Sequence, residues 1–324
     1  MMANDSWFLG PVAPVVPVAP VVISPFVIES VPNVSEGRRR EVVARCADAV
    51  GRHASLLDVT SDEAHNRSVL TCAGEPGEVR DAVLALVEEA VRAIDLRQHQ
   101  GEHPRVGAVD VVPFVPLGDA RMATCVDLAR ETGEAVGRRF AIPVYLYEHA
   151  SAPGAFRPLE AIRRGGLAAL TARMADPAWR PDFGPSSPHP TAGVTVIGAR
   201  EVLIAYNVEL ATDRLDHARA IARAVRQSSG GLPALKAIDV PLADRGIVQV
   251  SMNLTDFRRT SLVDAFDAVA AAAARLGVSV AASELVGLAP AAALTPAIAA
   301  HVRLRDFDAD RMILERRLAA ARRR

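Results

Sequence analysis

From Phe26 onward the apolar positions fall into two alternating patterns. Short apolar runs predict strands at residues 27–31, 55–59, 68–72, 109–114 and 143–147, and stretches of helical period predict helices between them at 37–52, 76–94 and 120–140. Within 76–94 the residues Val79, Val83, Leu86, Val87, Ala90 and Ile94 share one face, which must bury against a sheet. The alternation returns later, with strands predicted at 194–197, 202–208, 247–254 and 278–285 and helices at 213–227, 261–276, 290–302 and 309–324. In 261–276 the stripe is Leu262, Ala265, Phe266, Val269, Ala273 and Leu276, with Thr260 or Ser261 as cap and Gly277 as stop. Residues 152–193, rich in proline and glycine, predict a linker or a binding loop. The expected fold is α/β (α+β) with two subdomains, each a mixed β-sheet carrying helices on its outer face, and a ligand between the sheets. The expected division is residues 27–200 and 201–324, preceded by a Pro/Val-rich tail, 1–26, interrupted by Pro11, Pro14, Pro17, Pro20 and Pro25.

Composition narrows the function classes. Of 324 residues 50% are apolar and 23% charged, which suits a folded soluble protein and excludes disorder over most of the length. Basic and acidic residues balance, 37 against 38, so a general nucleic-acid partner is not expected. Lys236 is the single lysine, and no phosphate-binding glycine loop surrounds it. Cys46, Cys72 and Cys125 are too scattered for a zinc site or a disulfide framework, so the expectation is the cytoplasm. No uninterrupted apolar run is long enough to span a bilayer, and no membrane association is expected.

Three polar clusters precede apolar strands. The densest runs from Gly101 to Asp110 and holds Glu102, His103, Pro104, Arg105 and Gly107. His103 is there the candidate general acid/base, held at a strand entrance by its glycine and proline neighbours; the alternative is a turn whose polar groups bond one another. The second cluster is Asp58, Asp62, His65, Asn66 and Arg67. Asp62 and His65 make a weak metal pair, Asn66 and Arg67 a carboxylate-binding loop, and an Asx-turn explains the same residues without a ligand. The third, Glu29 to Gly37, holds Asn33 and Ser35 and reads as an anion dock at a helix start or as an ordinary capped start.

These runs, with 144–147, 181–186, 203–207, 249–253 and 284–288, resemble the glutamate formimidoyltransferase (formiminotransferase) family in order, over about residues 28 to 294. The resemblance implies transfer of a formimidoyl group between N5 of tetrahydrofolate and the amino group of an amino acid, glutamate in its best-known members. It also implies two sheets facing each other across a folate passage, a homodimer, His103 as the catalytic residue, and tetrahydrofolate as co-substrate with no metal. The segment from Gly184 through Pro185, Ser186 and Ser187 to Gly193 matches one assigned to folate binding in vertebrate members. Asn33, Asn66, Arg67 and Arg105 are then candidates for holding carboxylates, and Asp110, Asp58 or Asp62 for the cationic amidinium. Two departures stand out. Thr60 occupies a position where vertebrate members have aspartate, and residues 188–193 lack the aromatic residue of some relatives, with His189 nearby. The resemblance also implies a second, biosynthetic reading, because relatives of the family act on glycine or a glycyl-bearing antibiotic precursor; a folate-binding protein without activity is the third reading.

Overall fold

The computed structural model describes residues 27–101, 104–152 and 157–323. Its larger sheet contains β1 (Ile28–Ser30), β2 (Asn33–Val34), β3 (Ser55–Asp62), β4 (Arg67–Gly74), β5 (Val109–Pro116), β6 (Val144–Glu148) and β7 (Thr195–Ala199). Across it the order is β3, β4, then β1 and β2 end to end, then β5, β7 and β6. β7 runs parallel to β5 and β6, and the other pairings are antiparallel.

Helices α1 (Arg40–Gly51), α2 (Pro76–Ala93) and α3 (Met122–Phe140) cover one face of this sheet. Their apolar stripes, among them Val42, Cys46, Val79, Val83, Leu86, Cys125 and Val136, pack with Leu70, Cys72, Val112 and Phe114 from the strands. Helix α2 starts at Pro76 behind a reciprocal cap between Glu75 and Glu78. The opposite face carries two short helices that the sequence reading took for loop, α4 (Leu159–Arg163) and α5 (Gly166–Arg173). Ile162 and Leu170 bury there against Tyr145, Tyr147 and Val196.

The smaller sheet, ordered β11-β8-β10-β9, joins β8 (Ile204–Leu210), β9 (Leu235–Leu242), β10 (Ile247–Leu254) and β11 (Val280–Val286). All its pairings are antiparallel, so of the two expected mixed sheets only the larger is mixed. Helices α6 (Leu215–Val225) and α7 (Leu262–Arg275) bury one face, packing Ile221, Val225, Phe266 and Val269 on Tyr206, Val208, Val250 and Met252. Ser261 caps α7 in a box with Asp264. The helices expected at 290–302 and 309–324 are shorter. The first is α8 (Pro296–His301); the second divides into α9 (Ala309–Met312) and α10 (Leu314–Ala321) because Ile313 forms a bridge to Ala289.

Helix α10 returns to the larger sheet. Leu314 and Leu318 pack on Leu57, Ala73 and Leu117, and Arg317 Nε donates to the Leu57 carbonyl at 2.9 Å. The face of the larger sheet opposite α1, α2 and α3 is thus flanked by α10 near β3 and by α4 and α5 near β6. No helix among the described residues is long and apolar enough to cross a membrane.

Candidate functional site

Four segments meet at one end of the larger sheet: the β2–α1 turn, the β3–β4 hairpin, the loop before β5 and the chain entering β7. Two glycines permit this approach. A Cβ on Gly101 would strike the His65 carbonyl and Asn66, and one on Gly107 would strike the Val194 carbonyl. The Ser35 hydroxyl closes the join by donating to the Gly107 carbonyl at 2.7 Å.

Asn66 ties three of these segments together. It holds the left-handed conformation, φ 48°, that ends the hairpin turn. Its Oδ1 accepts from the Gly37 amide at 2.9 Å, and its Nδ2 donates to the Gln100 carbonyl at 2.9 Å. His99 adds a third link, with Nε2 3.1 Å from the Asn66 carbonyl and Nδ1 against the Arg105 guanidinium. Because Arg105 can only donate, Nδ1 accepts and Nε2 carries the proton. Burial, and then the Arg105 charge, push the His99 pKa down, consistent with a neutral ring. Arg105 also donates to the Gly101 carbonyl, which closes the loop on itself.

Beside this hub lies a line of polar groups. Arg67 Nε donates to Asn33 Oδ1 at 2.8 Å. Burial, followed by the like charge of Arg163, lowers the Arg67 pKa to about 10. Asp110, only 2% exposed, accepts on Oδ1 from the amides of Val106, at 2.7 Å, and Gly107, at 3.3 Å. Its Oδ2 pairs with Arg163 from α4, whose Nε is buried with no hydrogen-bond partner among the described residues. Both Asp110 oxygens are therefore engaged within the protein, shaping the loop before β5.

The other carboxylates have distinct settings. Asp62 accepts from the amide and Nδ1 of His65, both at 2.8 Å, and these bonds outweigh burial in holding its pKa low. Burial pushes the Asp58 pKa up. Thr60 sits between them on β3, paired with Val69. Among the described residues no group of three His, Cys, Asp or Glu side chains is placed to hold a metal ion.

The structure thus brings Asn33, Asn66, Arg67, Arg105 and Asp110 to one place. His103 and Glu102 lie outside the described residues. Gly193 reaches the cluster, bridging to Gly107 while Val194 donates to the Val106 carbonyl at 2.8 Å. Gly184, Pro185, Ser186 and Ser187 are exposed, and Gly184 lies where a Cβ would meet Ile142 and Gly137 at the end of α3. No hydrogen bond among the described residues joins these four to the cluster. His189 serves its own turn, with Nδ1 accepting from the Ala192 amide at 3.0 Å. Sequence reading missed His99 and Arg163. His99 lay just outside the dense run, and Arg163 lay in the segment taken for loop.

Comparison with known proteins gives this constellation a family. The model for the formiminotransferase domain's N-terminal subdomain matches residues 27–200, and the model for the formiminotransferase domain matches residues 205–315. The glutamate formimidoyltransferase of Streptococcus pyogenes is 41% identical over 296 residues, covering 90% of this chain and 98% of that one. The glutamate formimidoyltransferase of Thermoplasma acidophilum is 44% identical, covering 91% and 98%. The formimidoyltransferase-cyclodeaminase of Sus scrofa is 39% identical over 84% of this chain but only 52% of its own length. The chain therefore belongs to the formiminotransferase family and is an enzyme that transfers one-carbon groups.

Proposed function

We propose that this enzyme moves a formimidoyl group between N-formimidoylglutamate and N5 of tetrahydrofolate, with His103 as general acid and base. The observation that carries the reading is the match along nearly the full length of two glutamate formimidoyltransferases. The convergence of Asn33, Asn66, Arg67 and Arg105 beside the described ends of the segment before β5 supports it.

In this mechanism the N5 lone pair attacks the formimidoyl carbon while His103 takes the N5 proton. The tetrahedral intermediate collapses as the imidazolium returns that proton to the glutamate nitrogen. The carbon–nitrogen bond to glutamate breaks, leaving glutamate and 5-formimidoyltetrahydrofolate. One group titrating near neutrality serves both transfers, and no redox change occurs. Arg105 fixes the loop, and Asp110 holds its other end through Val106 and Gly107. Arg67 and Asn33 offer carboxylate and polar contacts, while the exposed run from Gly184 to Ser187 holds the folate tail. The same reading has the enzyme working as a cytoplasmic homodimer, which sedimentation of the purified protein checks.

The test is product formation from defined pairs. Tetrahydrofolate with N-formimidoylglutamate should yield 5-formimidoyltetrahydrofolate and glutamate in equal amounts. Turnover confined to N-formimidoylglycine or a larger glycyl amidine, or independent of tetrahydrofolate, would overturn the reading.

A further inference from the structure

Among 37 basic residues the chain keeps one lysine, and that lysine pairs with a residue of the other subdomain. Lys236 lies on β9, on the face of the smaller sheet turned away from α6 and α7, because its neighbours Leu235 and Ala237 are buried in the core those helices cover. Its ammonium pairs with Glu160 of α4 in the other subdomain. Three residues on, at the helical spacing that puts two side chains on one face, Arg163 of α4 holds Asp110. One short helix thus connects the lysine to the polar cluster at the candidate site. Beside Lys236 the helix-free face is mixed. Its own row across the sheet holds Asn253, Ala205 and Val286, and the next row holds Ile238, Ser251, Asn207 and Glu284, with Asn207 Nδ2 donating to Glu284 at 3.1 Å, so polar groups predominate on the middle strands.

Stability does not account for a lysine here. The side chains of Lys236 and Glu160 are 53% and 55% exposed, and water screens such open pairs so well that they add little to stability. Arginine, used everywhere else, would serve a surface pair equally well. The difference lies in shape. An ammonium is a compact charge with three donors pointing apart, whereas a guanidinium is a broad plane suited to one two-toothed contact. A lysine can give one donor to Glu160 and keep two for a second anion.

We propose that Lys236 binds a carboxylate of a reactant at the junction of the subdomains, and so helps set substrate specificity. The inference rests on the proposed reaction, in which two reactants bring a carboxylate at the end of a flexible arm: the side-chain carboxylate of the amino-acid substrate and the glutamate tail of the folate.

The experiment compares Lys236→Met and Lys236→Arg with the wild type. In steady state Lys236→Met should raise the KM of one reactant at least tenfold while kcat stays within threefold, and Lys236→Arg should recover less than half of the loss. If the amino acid is the source, the effect disappears with N-formimidoylglutamine, which lacks the side-chain carboxylate. If folate is the source, it disappears with tetrahydropteroate, which lacks the glutamate tail. An unchanged KM for both reactants, or an equal rise whether or not either carboxylate is present, would overturn the proposal. Titration with tetrahydrofolate against tetrahydropteroate, and with glutamate against glutamine, needs no turnover. It would decide the role of Lys236 even if N-formimidoylglutamate proved not to be a substrate.

Discussion

Asn66 shows how one side chain can set the geometry of a site. Its amide is the common partner of the Gly37 amide, which is buried, and the Gln100 carbonyl, which belongs to an exposed residue. Asn66→Ala should cost roughly 2 kcal/mol, chiefly through the unmet Gly37 amide, and lower turnover by loosening the loop before β5. Chemical denaturation with a parallel assay checks both. Asp110 answers to a different principle. Asp110→Asn leaves Arg163 without its counter-charge in a poorly solvated place, and should cost about 3–5 kcal/mol; a loss below about 1 kcal/mol would contradict the buried-pair description. Glu29 is the third case. Complete burial, only partly offset by Arg200, raises its pKa to about 7 from the ordinary 4.5. Between those pH values the folded state binds the extra proton, so Glu29 lowers stability as pH rises from about 4.5 to 7, by roughly 3 kcal/mol at most. Glu29→Gln should therefore gain on the wild type above pH 7 and match it near pH 4.5, which thermal melts across that range would show.

At the level of elements, the long helices were legible because their period and caps agree. The stripe of α2 and the Ser261 cap of α7 both appear in the structure where the sequence puts them. Strand β9 was missed for a physical reason. Its alternation of Leu235 and Ala237 inward with Lys236 and Ile238 outward is short, and Asp239 and Pro241 then break the apolar pattern. Asp239 reaches Arg219 of α6, a partner no local pattern reveals. Helices α4 and α5 were hidden by the glycine pair Gly165 and Gly166, both with positive φ, which separates two helices too short to show a period. Joins between elements also carry predictions. Gly107→Ala would drive a methyl into the Val194 carbonyl and should destabilise by several kcal/mol, whereas Gly51→Ala, at the end of α1 with open space around it, should be neutral or stabilising by about 0.5–1 kcal/mol. Melting midpoints of the two variants test the contrast.

Across the whole molecule, each sheet buries one face under its long helices, and the other face of the larger sheet carries α4, α5 and α10, of which α4 and α10 link the two subdomains. The three sequence clusters were each readable, but nothing in their spacing said that Gly37 would meet Asn66, or that Asp110 would meet an arginine 53 positions away. Those meetings come from the sheet order, which places β2 between β4 and β5. The central claim is that His103 moves the proton in formimidoyl transfer. The most direct measurement is the pH-dependent kcat of His103→Ala, with tetrahydrofolate binding followed in parallel. Proton transfer by His103 requires a fall of about 10²–10⁴-fold and a changed pH profile, with folate affinity retained. A variant that keeps near wild-type kcat and the same pH profile would contradict it.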